Sequence, residues 1–130
     1  MTRLGGRVLM ALALLGVGSC GSDTTGPVAG QLTVSLVTPN PNADGAILLS
    51  VTGPAALTSA TPPTGLRVFG QPLATTTRFA VTGTLTNGAI LSIGVADVNQ
   101  VAQYKATVQA AAASDFSLRS LSGYSLTVTK

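Results

Sequence analysis

Between residues 31 and 130, apolar and polar side chains alternate over short runs, with a period of two rather than the 3.6 of a helix. Residues 31–38, QLTVSLVT, put Leu32, Val34 and Leu36 on one face, as a half-buried strand requires. Residues 46–51, AILLSV, are more continuously apolar, the pattern of a central strand, and Gly53-Pro54 stops them. Residues 66–69 predict a short strand. In residues 76–85, TTRFAVTGTL, the side chains of Phe79, Val81 and Leu85 share a face. Asn87-Gly88 then separates that run from residues 89–95, AILSIGV, and predicts a tight hairpin. Residues 104–110 alternate with Tyr104, Ala106 and Val108 on one side, and residues 124–129 alternate cleanly.

Glycine and proline punctuate these runs. Residues 39–45, PNPNADG, form a dense turn segment. Residues 58–65 read as a loop, because Pro62 and Pro63 remove two backbone donors and exclude a central strand. Residues 96–102 are a loop or a single helical turn. The alanines at 110–113 are too few to nucleate a helix, so they predict a strand end or a bend. Residues 115–119 make one more short strand. The sum is seven to eight strands and almost no helix, in a stretch long enough for one domain. This predicts an all-β fold, a single antiparallel β-sandwich of immunoglobulin-like type, with a small closed barrel as the second choice. Alternation leaves one face of each strand wet, which favours antiparallel over parallel sheets.

The first thirty residues follow another pattern. Arg3 and Arg7 precede an uncharged apolar run, residues 8–17, and Gly18 and Ser19 follow. A positive start, a short apolar stretch and small residues are the layout of a secretory signal. The run is too short to cross a bilayer comfortably as a helix. The predicted signal, residues 1–19, should form a lone helix over residues 3–17 that packs on little. The tetrapeptide Val17-Gly18-Ser19-Cys20 resembles the lipobox of bacterial lipoproteins. That resemblance implies a diacylglycerol thioether on Cys20, the chain's single cysteine, and cleavage just before it. An unpaired thiol in an oxidising compartment is a liability that acylation removes. Several acyl chains hold a domain durably where one does not. Gly21 after the cysteine leans toward the outer membrane if the organism is Gram-negative, since Asp there marks inner-membrane retention. Residues 20–30, rich in Gly, Ser, Thr and Pro, predict a flexible tether, and residues 31–130 the domain.

Removing the signal changes the charge picture. The whole chain carries a formal net charge of +3, but Arg3 and Arg7 leave with residues 1–19. Arg67, Arg78, Lys105, Arg119 and Lys130 then face Asp23, Asp44, Asp97 and Asp115, a net +1, and no basic patch argues for nucleic acid. The chain has no His and no Trp. With one Cys and no His, a Cys/His zinc site cannot be built, and the commonest general base is missing. A Ser–Lys dyad has only Lys105, in a strand pattern, and the final Lys130 to draw on. Asp44, Asp97 and Asp115 fall in turns, where Asp serves as an acceptor for backbone amides more often than as a calcium ligand. Sugar platforms want exposed aromatic rings. Phe69, Phe79, Tyr104, Phe116 and Tyr124 mostly fall at core-facing positions, and Tyr124 suits a strand corner anchored through its hydroxyl. The threonines at 75–77 lack the fixed repeat of an ice-binding surface.

Residues 44–51, DGAILLSV, and 87–95, NGAILSIGV, resemble the turn-then-strand units of cohesin-like bacterial β-sandwich modules. The resemblance implies binding through an exposed sheet face. The expectation is therefore a lipid-anchored, non-catalytic cell-envelope module. No cofactor or metal is expected. Its contacts would be the membrane, through Cys20, and a protein or glycan partner. A surface adhesin or filament component and an envelope hydrolase are the alternatives.

Overall fold

The structure is a computed structural model and describes residues 26–130. The predicted signal and its helix, Cys20, and the tether up to residue 25 lie outside the described residues. Eight strands follow one another: β1 (Gly30–Val37), β2 (Asp44–Thr52), β3 (Ser59–Thr61), β4 (Arg67–Gly70), β5 (Thr76–Leu85), β6 (Gly88–Val95), β7 (Lys105–Ala113) and β8 (Ser125–Thr129). A 3-10 helix, Val98–Gln103, stands between β6 and β7. The strands form two antiparallel sheets of four, ordered β8-β1-β6-β3 and β4-β5-β2-β7. The fold is a β-sandwich, as the alternation predicts.

The pairing is nested. β1 pairs with β8, β2 with β7, β3 with β6 and β4 with β5, as in a long ribbon wrapped over itself; β1 also pairs with β6, and β2 with β5. This wrap is the principle of the double-sheet jelly rolls. It places the apolar faces of both sheets against each other. Leu32, Val34 and Leu36 of β1 and Leu91, Ile93 and Val95 of β6 meet Ile47, Leu49 and Val51 of β2 and Phe79, Val81 and Leu85 of β5, all buried. Each such side chain contributes about 1.5–3 kcal/mol of apolar transfer energy, so the four central strands hold most of the stability.

Three expectations are corrected. Asn87-Gly88 does not close a hairpin: β5 and β6 lie in opposite sheets, and the turn carries the chain across the core. Gly88, at φ 123°, supplies the left-handed bend, while the Asn87 side chain accepts the Thr38 amide at 2.8 Å and so ties the corner to the end of β1. Residues 115–119 are not a strand either. They fold as a turn whose only ladder contact is the single bridge between Leu118 and Ala112. Conversely, the loop predicted over 58–65 holds the short edge strand β3, which stops where Pro62 removes the next donor.

The domain begins a little before residue 31. The Val28 amide donates to Asp97 Oδ1 at 3.2 Å, and the Val98 amide donates to the Val28 carbonyl at 2.8 Å. Val28, within the predicted tether, is thus bonded to the 3-10 helix and its cap.

Candidate functional site

Asp44, Asp97 and Asp115 each accept hydrogen bonds from within the chain. Asp97 caps the 3-10 helix, its Oδ1 accepting the Asn99 amide at 3.0 Å. Asp115 Oδ1 accepts the Ser117 hydroxyl at 2.6 Å and the Ser117 amide at 3.0 Å. Those two bonds, the hydroxyl first, hold its carboxyl below the ordinary carboxylate range. Asp44, at the start of β2, is buried. Its Oδ1 accepts Arg119 Nε at 3.1 Å and the Tyr124 hydroxyl at 2.8 Å, and its Oδ2 accepts the Thr38 hydroxyl at 2.6 Å. Asn40 Nδ2 donates to the Tyr124 hydroxyl at 3.1 Å. Tyr124 therefore anchors a corner through its hydroxyl, as its position suggests. The cluster knots the 39–45 turn to the segment before β8. Among the described residues, no group of three His, Cys, Asp or Glu side chains is placed to hold a metal ion.

The aromatic rings divide. Phe79 and Tyr104 are buried in the core, whereas Phe69 is 58% exposed and Phe116 is 69% exposed. Packing accounts for the first pair and not for the second. Phe69 faces out because Val68, its neighbour on β4, takes the inward place opposite Val81. Phe116 faces out because the Asp115–Ser117 turn sets its backbone at φ 66°, an uncommon conformation for a bulky side chain.

Both rings lie along one surface, the outer face of the β4-β5-β2-β7 sheet. The strand register aligns Phe69 with Ala80, Ala80 with Leu48, and Leu48 with Ala110, so an apolar row crosses all four strands. Leu48 is 47% exposed although it sits in the centre of the sheet. Beyond β7 the row meets Phe116 and Leu118, the latter 82% exposed. Two shallow grooves adjoin at Leu48. One, of about 360 Å³, is lined by Phe69, Gln71, Arg78 and Gln109; the other, of about 200 Å³, by Ala110, Ala112, Phe116 and Leu118.

On one side of the row the register places Arg78, Ser50 and Thr107. On the other it places Arg67 and Thr82, then Ala46 and Ala112. Lys105 stands at the far end of β7. The one carboxylate in these four strands is the buried Asp44, held by Arg119. The opposite sheet differs in kind: Gln31, Thr33 and Ser35 of β1, Ser92 of β6, and Thr127 and Thr129 of β8 make most of its outer face a neutral layer of hydroxyls and amides, with Val37 exposed at the end of β1.

The sequence alone missed this surface, because nothing in short alternating runs tells which Phe or Leu faces water. Its one signal is Leu48, an apolar residue at the polar parity of β2. The described residues contain no helix long and apolar enough to cross a membrane. Comparison with known proteins returns no match among protein-family models, curated proteins or solved structures.

Proposed function

We propose that the chain is a lipid-anchored, non-catalytic module of a bacterial cell envelope, held to the membrane through Cys20, that docks a protein or glycan partner on the outer face of the β4-β5-β2-β7 sheet. The observation that carries this reading is the apolar row Phe69–Ala80–Leu48–Ala110. A stable domain gains nothing from leaving Leu48 and two Phe rings in water, and contiguous apolar surface rimmed by polar groups marks interaction sites. The lipobox-like Val17-Gly18-Ser19-Cys20 supports the anchor, and Gly21 leans it toward the outer membrane if the organism is Gram-negative.

The filament alternative finds less support in the edges. β3 and β4 are three and four residues long, and one end of β7 is covered where the Ala113 amide donates to the Ser117 carbonyl at 2.9 Å, which leaves the five-residue β8 and the rest of β7 as the open edges. Short or covered edges discourage strand addition.

Photo-crosslinking in intact cells tests the docking face. A benzophenone side chain in place of Leu48 should give a discrete adduct that is lost on Phe69→Asp, while the same group in place of Thr127, on the other sheet, gives none. No adduct from position 48, or the same products from both positions, overturns the reading.

A further inference from the structure

Resting on that docking face, we infer that its occupant is a linear polysaccharide of carboxylated pyranoses, a polyuronate, laid across the strands along the apolar row. The row is narrow and banded, which suits a ribbon-like polymer better than a broad apolar surface. Four strands spaced about 4.8 Å apart give it a length of about 14 Å, enough for a short run of sugar rings in line. A pyranose has an apolar face of C–H groups and an equatorial rim of hydroxyls. The floor of Ala80, Leu48 and Ala110 offers flat apolar contact for the first, and the exposed Phe69 ring closes one end as a stacking surface.

The rim finds its partners beside the row. Gln71, whose backbone N–H donates to the Arg78 carbonyl at 3.1 Å and leaves its side-chain amide free, lies with Arg78 and Gln109 around the groove next to Leu48. Gln109 is set there by the register shift in β7 between the partners of Leu48 and Leu49. Its amide, that of Gln71, and the hydroxyls of Ser50, Thr107 and Thr82 are the neutral donors and acceptors that sugar hydroxyls need. Gly70 faces inward, where a Cβ would come within 2.7 Å of the Phe79 ring, so β4 has no side chain there to crowd the core below.

Charge selects the acidic sugar. Arg67 and Arg78 stand on either side of the row, and neither makes an ion pair among the described residues; Lys105 lies farther off, opposite Thr52 at the start of β7. Asp44 is neutralised by Arg119, and the nearest loop carboxylate, Asp115, is turned into its own turn by Ser117. Asp115 keeps its negative charge beyond β7, but the two groups that flank the row itself are unpaired guanidiniums, which attract carboxylates and match their two oxygens with a planar fork.

Isothermal titration of the full chain, extracted from membranes in detergent, tests the proposal. The probes are oligosaccharides of galacturonate, of mannuronate and of glucuronate, each beside its carboxyl-reduced counterpart. At least one acidic series should bind, its reduced counterpart at least tenfold more weakly, and the affinity should fall as salt rises. Phe69→Ala and Arg78→Gln, both at exposed positions, should each weaken binding about tenfold, while Thr127→Ala leaves it unchanged. No binding by any acidic series, or equal binding of the reduced chains, overturns the polyuronate. A protein adduct at position 48 without polyuronate binding likewise overturns it and leaves the docking face standing. Absence of lipid on Cys20 would overturn the anchor alone.

Discussion

At the scale of residues, Asp44 shows what a turn aspartate becomes when the chain folds over it. In sequence it is one polar residue before Gly45. In the structure it is buried and receives a guanidinium and two hydroxyls from positions 119, 124 and 38. A buried carboxylate is tolerable only with such partners, and removing it strands all three donors. Asp44→Ala should therefore cost about 3 kcal/mol in urea unfolding, the lower end for a broken buried ion pair because Arg119 keeps part of its side chain in water. A cost below about 0.5 kcal/mol, the level of an ordinary surface substitution, would contradict the knot. None of this was legible from the residue itself, since its partners lie up to 80 positions away.

At the scale of elements, β2 carries both kinds of leucine side by side. Leu49 is buried against the opposite sheet and Leu48 faces water. Leu49→Ala should cost about 2–5 kcal/mol through lost burial and the cavity left behind. Leu48→Ala should stay within about 0.5 kcal/mol, measured by the same urea titration. Equal losses would mean that Leu48 is part of the core and that the apolar row is not a surface. The alternation made β1, β2, β5, β6, β7 and β8 readable, because one buried face leaves a period of two. It misled at Asn87-Gly88, where only Gly88 takes a positive φ and the two strands face each other across the core instead of pairing. At β4 it gives the short strand but not its facing, because a run of four residues, Arg67–Gly70, is too short to say whether Val68 or Phe69 points inward. That is why the sequence pattern places the exposed Phe69 ring in the core.

At the scale of the whole molecule, two unlike faces back onto one core. The β8-β1-β6-β3 face is neutral and hydroxyl-rich, and the β4-β5-β2-β7 face is apolar and cationic. The chain enters the first of these sheets at Gly30, with Val28 fastened to the 3-10 helix, so the ordered domain begins closer to Cys20 than composition suggests. The sandwich itself was legible from pattern alone. The docking face was not, because it depends on register across four strands. On this account Cys20 holds the domain at a membrane and leaves that face to its partner. Metabolic labelling with an alkyne analogue of palmitate tests that claim most directly. The account predicts label on the wild-type protein and none on Cys20→Ser; equal labelling of the two, or none on the wild type, would contradict it.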